Sequence, residues 1–294
     1  MAKLKTDDIG VADLTQYLDE NSDFSFELQV LKMLRESNIE CEHGGFYEDS
    51  VTHKTREFDI RATKTIACSR VRFAVECKNI RAHFPILISC VPRHEHESYH
   101  DIALRTDNAQ HRPYLALNVP FSHWHPLPMR AAHSLYPVDS PVGKSTAQVG
   151  RSADKSIHDN DSELFEKWTQ CLSSAADLVK EVHWDGEDAV STIKQSAVLP
   201  FLVVPNGRLW SVNYDANGTR LAPPAPTDRC SYFVDKVHNI GPASVNVKMS
   251  LTHVEFVTIN GMRSFIDEYL SSSAAIARIF PDEGIANALS EFAR

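Results

Sequence analysis

Apolar and polar positions alternate most clearly over two short stretches, Arg56-Glu-Phe-Asp-Ile-Arg-Ala-Thr-Lys64 and Val71-Arg-Phe-Ala-Val-Glu-Cys-Lys-Asn79. A period of two predicts half-buried strands. In the first, Phe58, Ile60 and Ala62 share one face, and Asp59 and Arg61 the other. In the second, Phe73, Val75 and Cys77 lie opposite Ala74, Glu76 and Lys78, because side chains two apart on a strand point the same way. The connection 63–70 is short enough for antiparallel pairing. A suitable register then brings Asp59 beside Glu76 and Lys78, so that two carboxylates and an ammonium converge.

Elsewhere the period changes. Phe24, Val30, Leu31 and Leu34 recur at helical spacing and predict a helix over 24–38, with Asp23 or Ser25 as N-cap and Glu27 inside the apolar stripe. A polar lead holds a short helix over 11–18, and a first strand is expected over 46–51. Residues 85–91 read as a buried strand, and 92–160, rich in proline and histidine, as irregular. Phe165, Trp168, Leu172, Ala175, Ala176, Val179 and Val182 predict a long helix over 161–183, which Asp161 would cap and Asp185-Gly186 would follow. Two strands are expected around the Pro205-Asn206-Gly207 turn. A proline-rich loop over 215–227, a strand over 245–259, a helix over 261–270 and a C-terminal helix broken at Pro281 complete the chain. The division expected is a core over 1–214 with an insertion at about 92–160, and an α+β extension over 215–294 packed on the same sheet.

Composition narrows the class. The 294 residues are 43% hydrophobic, enough for a sizeable core, and no apolar run approaches a membrane span or a signal peptide. Six cysteines at unpaired spacing, Cys41, Cys68, Cys77, Cys90, Cys171 and Cys230, point to a reduced, cytoplasmic setting. A net charge of −9 argues against a protein that coats nucleic acid non-specifically. From His53 to His83, however, eight basic residues face three acidic ones. Such a patch suits a phosphodiester; a solvated charged hairpin would read the same way.

The constellation Asp59, then Glu76-Cys77-Lys78, resembles the active site of the PD-(D/E)xK nucleases, the restriction-endonuclease-like superfamily, with Phe58 where the family name has proline. Many members carry a glutamate on the helix before the first strand, the place Glu27 fits. The order helix, strand, strand with Asp, strand with Glu-x-Lys is also that of the family core. The resemblance implies a mixed central sheet flanked by helices, here with a long insertion and a β-rich C-terminal extension. It further implies metal-dependent hydrolysis of nucleic-acid phosphodiesters, DNA ahead of RNA, with a host-defence role consistent with family habit. Phosphodiesters resist hydrolysis because the anion repels hydroxide and the alkoxide leaves poorly, and a bound metal relieves both. In this reading Asp59, Glu76 and the Cys77 carbonyl hold Mg²⁺ or Mn²⁺, with Glu27 as outer or second-metal ligand. Lys78 orients the water and stabilises charge, and Arg56, Arg61, Arg72, Lys144 and Gln148 contact substrate. A homo-oligomer or larger complex is compatible with the same reading.

Two rivals follow from the same residues. One keeps the fold as a catalytically silent nucleic-acid-binding or assembly module. The other places zinc on the histidines His94, His96, His100, His111, His123, His125 and His133, since His-x-His on a strand shares a face. Val142-Gly-Lys-Ser-Thr146 is not a phosphate-binding loop, because position 138 is valine where that loop needs glycine.

Overall fold

The computed structural model describes residues 7–20, 22–49, 52–105, 124–160, 162–185, 192–241 and 247–292. In chain order these form α1 (Val11–Glu20), α2 (Phe24–Glu36), β1 (Glu40–Glu48), β2 (Thr55–Ile66), β3 (Ser69–Cys77), β4 (Ile86–Pro92), β5 (Tyr99–Arg105), β6 (Trp124–Arg130), β7 (Pro141–Arg151), β8 (Ile157–Asp159) and α3 (Ser162–Glu181). There follow β9 (Gln195–Val204), β10 (Leu209–Asn213), β11 (Ala225–Pro226), β12 (Arg229–Asn239), β13 (Lys248–Thr258), α4 (Ile259–Leu270), α5 (Ser273–Ile276) and α6 (Asp282–Phe292). The protein is mixed α/β: a large mixed sheet, ordered β1-β2-β3-β9-β13-β12-β7-β4-β10-β11, with helices on both faces.

Alternation on β3 explains the layers. Phe73, Val75 and Cys77 join Ile60 and Ala62 in a core completed by α2 (Phe26, Val30, Leu34) and α4 (Met262, Phe265). Ala74, on the opposite face, joins Leu202 and Phe256 under Leu172, Ala175 and Val179 of α3. On α2 the buried stripe starts at Phe26, while Phe24 is exposed; on α3 Leu164 is buried and Phe165 exposed. β2 and β3 pair antiparallel, and β9 lies parallel to β3 on its other side. A parallel neighbour requires a crossover, and α3 is the helix that precedes β9.

Several expectations are corrected. The first strand begins at Glu40, earlier than its apolar residues suggested, because it is a largely exposed strand paired, among the described residues, only with β2. The 92–160 stretch is not irregular throughout: β5, β6 and β7 lie within it. Pro126 and Pro128 are tolerated in β6 because, among the described residues, it pairs with β5 alone, and an edge strand can spare donors. β9 and β10 are not a hairpin. β9 is flanked by β3 and β13, so β10 crosses to run parallel to β4. β12, unforeseen, pairs antiparallel with β13 across a bulge between Phe233 and Lys236. Asp161, Gly186, His111 and His123 lie outside the described residues.

Two arginines of the basic hairpin, Arg61 and Arg72, face inward, while Lys54 and Arg56 are exposed. Arg61 bonds Asp177 at 2.8 Å and Glu181 at 3.2 Å on α3, and stacks on the Phe58 ring at 4.5 Å. Arg72, 7% exposed, donates to Asp185 at 2.6 Å and Ser196 at 3.1 Å, and Arg70 bonds Asp185 as well. Both Arg61 and Arg72 were expected on substrate; instead they tie α3 to the sheet. Breaking a buried ion pair leaves a charge uncompensated, which typically costs about 3–5 kcal/mol. Because Arg70 still meets Asp185, Arg72→Ala is expected to cost less, about 1–3 kcal/mol in urea unfolding; a loss under about 0.5 kcal/mol would place the pair among weak surface bridges.

Candidate active site

The β2–β3 ladder runs from Ile66↔Ser69 to Ile60↔Val75. Asp59 and Glu76 are the next residues along each strand, opposite one another where the ladder opens. Asp59 Oδ2 accepts the Cys77 backbone N–H at 2.7 Å. Glu76 is 0% exposed, and neither of its carboxylate oxygens accepts a hydrogen bond. An ionised carboxylate so placed is expensive unless a cation meets it.

That cation is Lys167, on α3. Its Nζ lies 3.4 and 3.2 Å from the two oxygens of Asp59 and 3.5 Å from Glu76 Oε2. Three and a half ångströms is ion-pair contact and not a hydrogen bond, so Lys167 only partly compensates Glu76. Burial first, then the charge of Asp59, raises the Glu76 carboxyl well above its ordinary value, against the pull of Lys167. For Lys167 burial opposes the charge, but Asp59 and Glu76 outweigh it and raise its pKa. When both carboxylates are ionised, the single ammonium leaves the pair one positive charge short, and the raised Glu76 carboxyl avoids this by keeping its proton.

Lys78 is placed differently from expectation. It follows the last residue of β3, between the start of α2 and the start of α3, where its Nζ bonds Asp23 Oδ2 at 3.3 Å and also Glu163. Asp23 holds the N-cap position of α2 without a side-chain cap bond; its other oxygen takes the Asn79 N–H at 2.7 Å. Lys78 thus borders a cavity of about 250 Å³ lined also by Asn79, Arg81, Phe84, Gln148 and Asn160. Glu27 is partly buried and bonds His43 at 3.2 Å; burial, then Asp59, raises its carboxyl.

The other expected contacts divide. Gln148 lines the cavity and donates to the Phe84 carbonyl at 3.4 Å. Arg56 bonds Asp49 at 3.0 Å, and Lys144 bonds Glu97. The 142–146 stretch is strand, and Gly143 is required by packing: a Cβ there would meet Ile88 at 2.8 Å and Tyr232 at 2.9 Å. Lys167 was missed because it belongs to a helix whose sequence stripe reads as core; nothing local distinguishes it.

Among the described residues no group of three or more His, Cys, Asp or Glu side chains is arranged to hold a metal. The described histidines of the zinc reading make these contacts, His111 and His123 lying outside the described residues. His100 is buried, donates to the Ile279 carbonyl at 2.8 Å and is pushed down to about 4 by burial. His94 and His96 stack on each other, and His133 meets Asn287. Asp59 and Glu76 are a carboxylate pair, which suits a hard cation that retains water ligands. The orphaned oxygens of Glu76 fit such an ion.

A stability consequence follows. A carboxyl raised in the folded state favours its protonated form, so its contribution is fully present below the unfolded value near 4.5 and is lost as pH rises through the folded value. In EDTA, Glu76→Gln is expected to melt above wild type at pH 8, with the gap narrowing toward pH 5. Equal melting at both pH values would show that Glu76 carries no such cost.

No protein-family model, curated protein or solved structure matches the chain significantly. Among the described residues no helix is long and apolar enough to cross a membrane.

Proposed function

We propose that the protein is a metal-dependent nuclease of the PD-(D/E)xK type, acting on DNA ahead of RNA. The observation that carries the reading is Glu76, fully buried with neither oxygen hydrogen-bonded, set beside Asp59 where two strands part. Element order supports it: α2, β1, β2 with Asp59, β3 with Glu76-x-Lys78, then α3 and β9, parallel to β3. Strands β4 to β8 occupy the place of an insertion between β3 and α3.

In this reading Asp59 and Glu76 hold Mg²⁺ or Mn²⁺, with the Cys77 carbonyl and Glu27 as further oxygen donors. The metal supplies Lewis acidity and lowers the pKa of its bound water. Lys167 is the ammonium placed to neutralise charge at the scissile phosphate, the role first expected of Lys78. Lys78, Arg81 and Gln148 line the adjoining cavity, where donors would seat the flanking backbone phosphate. Glu163, which pairs with Lys78 and is exposed, gives way to that phosphate. The silent-module alternative needs Lys167 to be a permanent counter-ion.

Linear, circular and single-stranded DNA and RNA, incubated with Mg²⁺, Mn²⁺ or EDTA, test the reading. Cleavage that requires the metal is expected; unchanged substrates under every metal condition would overturn catalysis.

A further inference from the structure

A second polar site lies at the other end of the β4–β7 ladder. Gln148 faces Ile86 at the end beside Lys78, whereas Pro141 faces Pro92 at the far end. Arg93 follows directly and is 2% exposed. Its Nε donates to Ser140 Oγ at 3.1 Å, and its Nη2 to Ser231 Oγ at 2.6 Å and to the Pro141 carbonyl at 3.4 Å. Its Nη1 donates to His253 Nε2, which leaves the His253 proton on Nδ1, facing Thr252 Oγ1 at 2.9 Å. Burial, then the charge of Arg93, pushes His253 well below its ordinary value, so the imidazole adds no charge. The guanidinium also lies over the Tyr136 ring at 5.1 Å.

Each of these acceptors is neutral. Among the described residues no carboxylate lies within 4.0 Å of Arg93. The two nearby acids are already matched: Glu255 is gripped by Arg229 at 2.8 and 3.0 Å, and Glu97 is bonded by Lys144. A buried guanidinium without an anion is as costly as a buried carboxylate without a cation, and burial pulls the Arg93 pKa down accordingly.

Arg93 also borders a cavity of about 300 Å³, whose wall includes Arg229, Ser140, Ser231, Thr227 and Asn213. Ser231 accepts from Arg93 and keeps its own hydroxyl proton to donate, whereas Ser140, which also accepts from Arg93, gives its proton to the Pro137 carbonyl at 2.6 Å. A positive charge that lacks a counter-charge, beside the Ser231 hydroxyl and a space of small-molecule size, defines what would fill it. We propose that this cavity binds a small oxyanion, the phosphate or carboxylate group of a metabolite, on Arg93 and the Ser231 hydroxyl. The site stands apart from the carboxylate pair and does not depend on the nuclease reading.

Thermal melting of the full chain in EDTA, with inorganic phosphate, malonate or sodium chloride at matched ionic strength, tests the proposal. A saturable rise of about 5 °C at 100 times the dissociation constant is expected for phosphate, malonate or both, and none for chloride. A response to phosphate alone identifies a phosphate-bearing ligand, and one to malonate alone a carboxylate. A rise that grows without saturation is the general effect of excluded salts and counts against a site. Arg93→Met, which removes the uncompensated charge at similar volume, is expected to fold and lose the response. Glu76→Gln is expected to keep it, which separates this site from phosphate held at the carboxylates. Should Arg93→Met fail to fold, Ser231→Ala is expected to weaken the midpoint concentration about tenfold. No saturable rise in wild type, or an undiminished one in the variant that folds, would overturn the proposal.

Discussion

Replacing Glu76 by glutamine is expected to reduce metal-dependent DNA cleavage roughly 10³-fold, about 4 kcal/mol of transition-state stabilisation. Glutamine preserves shape and volume in a site that is 0% exposed, so packing is conserved while the negative charge is lost. Asp59→Asn is expected to act in the same direction, with a structural penalty besides, since Asp59 also accepts the Cys77 N–H. The discriminating feature is stability. Glu76→Gln should melt at or above wild type in EDTA while losing activity, the behaviour of a group retained at a cost for chemistry. A variant that was inactive only because it was unfolded would melt lower.

The second large effect separates the two lysines. Lys167→Met removes the ammonium shared by Asp59 and Glu76. Left without it, the carboxylates repel, so the variant is expected to lose about 3–5 kcal/mol of stability in EDTA and to recover most of it with Mn²⁺. The ammonium and a divalent cation compete for the same oxygens, so Mn²⁺ should bind tighter to the variant. Cleavage should nevertheless fall about 10²-fold, because charge at the phosphate goes unmatched. Lys78→Ala, whose ammonium sits on Asp23 and Glu163, is expected to raise KM with less than about a tenfold change in kcat. Reversal of the two kinetic patterns would return the catalytic role to Lys78.

Much of the site was legible in the alternation of 56–64 and 71–79, because a period of two fixes the faces of a strand once its register is set. That placed Asp59 opposite Glu76. It failed for Lys78 because β3 ends one residue earlier, where the side chain is drawn to acids from two helices instead of to its strand neighbours. Lys167 was illegible for a related reason: it reaches Asp59 from 108 residues away, through the packing of α3 on Ala74 and Leu202. The arginines were legible as a charge run but not as ion pairs, since their partners Asp177, Glu181 and Asp185 lie over a hundred residues on. In the fold, long apolar elements such as α3 and β13 were readable. β6, with two prolines, and β12, with a bulge, were not, because edge position and tertiary pairing override local propensity.

The central claim is that Asp59 and Glu76 together hold a divalent cation, and calorimetric titration with Mn²⁺ measures it without reference to any substrate. Wild type is expected to bind with a heat that varies with buffer ionisation near neutral pH, because the raised Glu76 carboxyl must give up its proton, and Glu76→Gln is expected to show no binding in the same range. Equal Mn²⁺ binding by both proteins would contradict the account.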